Sequence, residues 1–261
     1  MKLVEPRSFL LAATQLDRGS ASEYLEFVGA PEWMTDAPSD SEELVEMMGR
    51  LCYKSFAPGL NPNVTKVREG SKEYLEHIIH VGHGSVIEHA MFTFVFANVS
   101  RVFTHELVRH RAGTAISQES LRFVRLDEIG FWIPSILKEK PEGVELILEH
   151  VRQGEELQRK LAGIYELDKP GTKFDYKKKV TSALRRAAPD GLATAIGWSA
   201  NLRALRHCIE MRTDPNAEEE IRVVFGKVAA TMQERCPNVF GDYEIEIADG
   251  LPWYKTSHRK V

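Results

Sequence analysis

The stretch AMFTFVFANVSRVFTHELVRHR, residues 90–111, contains both of the periods from which a fold class is read. In its first half Phe92, Phe94 and Phe96 alternate with Met91, Thr93 and Val95. Successive side chains of a strand point to opposite faces, so a run apolar on both sides predicts a strand covered on both faces. From Ser100 the period changes: Arg101, His105 and Arg109 recur every four residues, while Phe103, Leu107 and Val108 turn elsewhere. That spacing predicts a helix over 100–111 whose C-terminal end carries Arg109, His110 and Arg111.

On the N-terminal side, residues 41–54 place Leu44, Met47, Met48 and Leu51 at helical spacing, with Ser41 as N-cap before Glu42 and Glu43. The turn-rich segment PGLNPNVTKVREG (58–70) predicts a loop, and 71–82 a helix with Leu75, Ile78 and Ile79 on one stripe and Gly82 as its stop. On the C-terminal side AGTAISQES (112–120) has no helical stripe and reads as a loop, and LRFVRL (121–126) as a short strand. Helical patterns dominate the second half. The longest runs over 143–167, another stops before Pro189, and NLRALRHCIEMR (201–212) is amphipathic. A last one has Asp214 as N-cap, Pro215 at its first position and the stripe Ile221, Val224, Phe225, Val228, Ala229, Met232. No repeat and no linker interrupts the chain, so residues 1–261 read as one α+β domain rather than a series of βαβ units.

Lys+Arg 34 against Asp+Glu 38 gives a formal charge of -4, which disfavours a general nucleic-acid-binding surface, and 43% hydrophobic residues suffice for a buried core. The segment FLLAA (9–13) is too short, and too closely flanked by Glu5, Arg7 and Asp17, for a signal peptide or membrane span, so a cytoplasmic location is expected. Cys52, Cys208 and Cys236 are odd in number and without CxxC spacing, which indicates neither a disulfide framework nor a zinc site. The chain has no GxxxxGK[ST] loop, no GxGxxG after a strand and no HExxH.

Anion binding must therefore come from side chains. Arg109, Arg111, Ser117, Ser120 and Arg122 supply guanidinium forks and hydroxyls suited to a phosphate, and the same arginines fit a solvated face paired with Glu106 and Glu119. His83 and His89 lie six residues apart, not a standard metal spacing, and read as hydrogen-bonded structural histidines. Arg203 and His207 share a helix face near Asn201; these three fit one extended ligand or an exposed surface. Lys177, Lys178 and Lys179 read as solvated.

Taken together, ELVRHR followed by eight residues and SLRF resembles the signature of the flavin-dependent thymidylate synthase family. GHGSVIEHAMFTF is similar to that family's GHxSxxEHxxFTF block, RLCYKS to the helix end upstream, and NLRALRHCIEMRTDPNAEEEIR to its C-terminal block. The resemblance spans roughly 41–240 and implies a central antiparallel-type sheet flanked by helices. It implies an FAD site drawn from His83, Arg109, Arg111, Asn201, Arg203 and His207. For a nucleoside monophosphate it implies Glu106, Gln118, Ser120 and Arg122, with Arg185 on the phosphate and Arg212 on the pyrimidine ring. Arg212 is then the candidate catalytic group, a guanidinium placed where negative charge develops on the ring. The implied reaction is C5 methylation of dUMP to dTMP, with methylenetetrahydrofolate as one-carbon donor and NADPH as reductant, in a homotetramer whose subunits share sites, without a metal or a catalytic cysteine. The sequence departs from the common pattern in its eight-residue spacing, in Phe123 for a frequent Tyr, and in Glu106 for a frequent Gln. These departures keep UMP open as the substrate. A non-enzymatic nucleotide- or RNA-binding protein is the third reading, and the acidic balance argues against it.

Overall fold

Ser100 ends one element and begins the next. Its backbone is extended (φ -71°, ψ 165°) while its hydroxyl accepts from the Phe103 amide, which converts the strand directly into a helix. The computed structural model describes residues 1–64, 66–123, 126, 128–259 and 261. In chain order the strands are β1 (Lys2–Leu3), β2 (Arg7–Ala13), β3 (Met91–Ser100), β4 (Thr114–Gln118), β5 (Gly130–Phe131), β6 (Ala193–Asn201), β7 (Glu244–Ala248) and β8 (Leu251–Lys255). The helices are α1 (Arg18–Phe27), α2 (Asp40–Tyr53), α3 (Ser71–His80), α4 (Arg101–Leu107), α5 (Ser135–Lys138), α6 (Pro141–Ile164), α7 (Phe174–Leu184), α8 (Leu202–Thr213), α9 (Glu219–Arg235) and α10 (Pro237–Phe240). This is an α+β fold, and among the described residues no helix is long and apolar enough to cross a membrane.

The main sheet has four strands in the order β2-β3-β6-β4. Thr14 pairs with Met91 while Glu5 meets Asn98, Ala90 pairs with Leu202 while Thr93 meets Ser199, and Gly113 pairs with Asn201 while Glu119 meets Ala195. Numbers fall on one strand as they rise on its neighbour, so the sheet is antiparallel throughout. A second pair, β7 and β8, is an antiparallel hairpin closed at Asp249-Gly250, both with positive φ.

The chain divides into two compact units: residues 1–9, 95–109 and 116–197, and residues 10–94, 110–115 and 198–261. The first unit holds a core of Leu121, Leu126, Ile129, Phe131, Leu148, Val151 and Leu192. In the second, the predicted α9 stripe is buried as a whole, and Phe225 meets Trp198 edge to face at 5.6 Å. Full burial of a side chain such as Phe225 contributes about 1.5–3 kcal/mol.

Several boundaries differ from the sequence reading. On β3 the phenylalanine face is sealed, but Met91 is exposed and Thr93 and Val95 only half-covered, so one face is buried rather than two. The α4 helix stops at Leu107, which puts Arg109, His110 and Arg111 in the following turn instead of on its last turn. Residues 114–118 form β4 rather than a loop: an edge strand buries little, and its pairing with β6 replaces the missing apolar alternation. Leu121–Phe123 is a turn, and residues 124 and 125 of the expected short strand lie outside the described residues. Ser39, not Ser41, caps α2 by accepting from Glu42. The buried face of that helix includes Glu46 and Arg50 while Leu51 is exposed, because Arg50 meets Glu46 at 2.6 Å and donates to the Ser55 and Arg68 carbonyls. Asp214 ends α8 in an Asx turn, accepting from Asn216, and Glu218 caps α9.

Candidate functional site

In the second unit, three sequence blocks that lie far apart in the chain meet at α8. Asn201 is its N-cap: Oδ1 accepts from the Ala204 amide at 2.8 Å, and the Asn201 amide donates to the Gly113 carbonyl at 3.0 Å. Gly113 has φ 68°, and a Cβ built there would run into the Asn201 side chain. The turn after Arg111 is thus tied to the start of α8 by a backbone that only glycine permits. Gly84 in the GHGS block makes a similar close approach without a left-handed backbone: a Cβ there would lie 2.5 Å from Arg203 Nε. Arg203 then pairs with Glu88 at 2.6 Å. His83 follows Gly82 (φ 77°) at the end of α3, and its exposed ring stacks on Tyr53 at 5.6 Å, with the phenol hydrogen-bonded to Nδ1. Arg111 and His207 are exposed, and Arg212 is half-buried in the last turn of α8.

His110 faces α8. Arg212 Nε donates to its Nε2 at 2.7 Å, and its ring meets that of His207 edge-on at 5.8 Å. Burial, with Arg212 and then His207 adding to it, lowers the imidazole pKa to about 4. An unfolded histidine titrates near 6.5, so the folded protein binds fewer protons between those values. This contribution to stability is present above pH about 6.5 and is lost as pH falls through the folded value.

In the first unit, Gln118 ends β4 and donates to the Thr104 hydroxyl at 3.2 Å. Glu119 is committed to β6, accepting from the Thr194 hydroxyl and the Ala195 amide, each at 3.2 Å, and not to the neighbouring arginines as an ion-paired surface would have it. Ser120 Oγ accepts from the Arg122 amide at 3.4 Å, and Arg122 is exposed, its guanidinium 6.0 Å from the Phe123 ring centroid. Arg185 borders a cavity of about 300 Å³ together with Leu121, which follows Ser120. Glu106 is half-buried on α4 and Arg109 exposed just beyond it.

The site residues inferred from the sequence thus separate by unit: His83, Arg111, Asn201, Arg203, His207 and Arg212 in the second, Glu106, Arg109, Gln118, Ser120, Arg122 and Arg185 in the first. Sequence reasoning missed the Tyr53 contact with His83, the Glu88 pair with Arg203 and the His110 bond to Arg212. The two glycines that close on α8 were the signal that could have located these contacts. Gly113→Ala combines a left-handed φ, about 1–2 kcal/mol for any other residue, with the collision at Asn201. We expect a lower thermal midpoint; an unchanged midpoint would show that this turn does not depend on glycine.

The fold is shared with a solved UMP/dUMP methylase from Streptomyces cacaoi bound with 5-Br dUMP: the TM-score is 0.64, over 92% of this chain and 96% of that one, at 14% identity. The family model described as thymidylate synthase complementing protein matches residues 34–238. The flavin-dependent thymidylate synthase of Corynebacterium glutamicum is 37% identical over 223 residues, covering 84% of this chain and 86% of that protein. That of Mycobacteroides abscessus is 36% identical over 236 residues, covering 86% and 89%. The chain belongs to the flavin-dependent thymidylate synthase family, whose members are methyltransferase enzymes.

Proposed function

We propose that this chain catalyses C5 methylation of dUMP to dTMP with FAD as cofactor, methylenetetrahydrofolate as one-carbon donor and NADPH as reductant. The observation that carries the reading is the convergence of the GHGS, RHR and NLRALRH blocks at α8, which brings Gly84 and Gly113 against its start and His110 against Arg212 in its last turn. A histidine stacked on a tyrosine and exposed guanidinium groups suit a planar cofactor bearing a diphosphate. His83, Arg109, Arg111, Asn201, Arg203 and His207 would hold it, and bound flavin would supply the redox equivalents. Glu106, Gln118, Ser120, Arg122 and Arg185 would bind the nucleotide. Arg212 would stabilise charge at the pyrimidine carbonyl. Burial pushes the Cys208 thiol up to about 12, which suits a reaction without a cysteine nucleophile. The reading includes a cytoplasmic homotetramer, sites shared between subunits, and residues 1–261 acting as one functional domain.

A second reading, methylation of UMP, rests on the eight residues between Arg111 and Ser120 and on Glu106. Turnover of dUMP and UMP measured side by side decides between them. We expect a yellow protein, bleached by NADPH, that prefers dUMP. A colourless protein that binds no flavin overturns both readings, and a preference for UMP overturns the first.

A further inference from the structure

His110 is the middle residue of RHR, and neither the sequence nor the resemblance assigns it a task. Its backbone is fixed locally, since its carbonyl accepts from the Thr114 hydroxyl at 2.8 Å. The decisive feature is the direction of its bond to Arg212. Guanidinium nitrogens only donate, so the imidazole Nε2 that receives Arg212 Nε at 2.7 Å carries no proton. A protonated ring would set one N–H against another and one positive charge against another. We propose that His110 is the positioning residue for Arg212: its neutral Nε2 accepts the Nε–H and so fixes the plane of the guanidinium group that addresses the pyrimidine.

This inference rests on the reading of Arg212 given under Proposed function. The groups that face the imidazole from α8 are Arg212 and His207, and its chain neighbours are Arg109 and Arg111, all of them cationic or able to become so. They oppose protonation together, in line with its lowered pKa. An imidazole also cannot swivel freely here, because the His207 ring packs against it at an interplanar angle of 68°.

The test uses the full chain loaded with FAD, with dUMP as substrate. His110→Leu removes the acceptor. It is expected to lower kcat about 10- to 100-fold, the range for a lost hydrogen bond to a charged group, with flavin content and KM little changed. His110→Gln, which offers a side-chain oxygen as acceptor, should recover most of that loss. A purely structural role would instead move flavin content and thermal midpoint in both variants. Independently of turnover, 15N NMR of histidine-labelled wild-type protein should show an unprotonated Nε2 at pH 7 and titration well below 6.5. Arg212→Ala should raise that midpoint. Wild-type kcat in His110→Leu, or an ordinary His110 titration indifferent to Arg212→Ala, overturns the proposal. If wild-type protein turns over neither dUMP nor UMP, the methylase reading falls, and the NMR arm still decides the coupling. An ordinary titration then overturns it, and a low, Arg212-dependent one upholds it.

Discussion

Arg212→Ala is expected to lower kcat about 10²- to 10³-fold, the usual effect of deleting one preorganised donor at a site of developing charge. Arg212 sits in the last turn of a helix whose N-cap, Asn201, is locked to Gly113, and whose inner face is sealed by Leu202, Leu205, Cys208 and Ile209. Its guanidinium therefore hangs from a rigid element and is oriented by His110, so little reorganisation is needed when charge develops on a bound ring. Flavin content and the thermal midpoint should stay near wild type. Steady-state kinetics with dUMP or UMP, together with flavin absorbance, make the comparison. Wild-type kcat would remove Arg212 from the reaction, whereas lost flavin with lost activity would make it a cofactor residue instead.

The largest stability effect is expected at Arg206, on the buried side of the same helix. Its side chain is wholly buried and meets Asp242 with two hydrogen bonds, at 2.6 and 2.8 Å, while the Val239 and Val261 carbonyls and the Thr256 hydroxyl accept its remaining donors. Tyr243 lies 5.0 Å from the guanidinium and donates its hydroxyl to the Arg206 carbonyl. Arg206→Met keeps much of the volume but leaves Asp242 without its cation, a loss of about 3–5 kcal/mol for a broken buried pair. Urea unfolding at pH 7 measures it, and Asp242→Asn added to the same chain should recover part. Burial would raise the Asp242 carboxyl, but the Arg206 hydrogen bonds and charge hold it below its ordinary value. The pair's contribution is thus present above the unfolded carboxylate pKa, near 3.9, and is lost as pH falls through the lower folded value. Stability of Arg206→Met should accordingly depend less on pH in that acid range. A loss below about 1 kcal/mol would mean that the pair is no more than a surface ion pair in effect.

The reading of individual elements succeeded where one period ran long enough to be unambiguous. The β3 phenylalanines, the α3 stripe and the α9 stripe are buried as their spacing requires. It failed where pairing rather than side-chain pattern decides. Thr114–Gln118 has no apolar alternation because it lies at an edge, and Asp214 lost the helix cap to Glu218 through a local Asx turn. The α2 face was misassigned for another reason: hydropathy counts Glu46 and Arg50 as polar, although their mutual ion pair lets both be buried.

The sequence by itself determined the α+β class and the family, because periodicity and motif spacing are properties of local chain geometry. Only the tertiary structure decided what those blocks do to one another. That Gly84 and Gly113 are seats for Arg203 and Asn201, and that His110 receives a hydrogen bond from Arg212, depends on side chains about 90 to 120 residues apart in the chain. Such pairs have no period to read. Their chemistry, including which nitrogen of His110 carries no proton, is set by what the folded chain places opposite it.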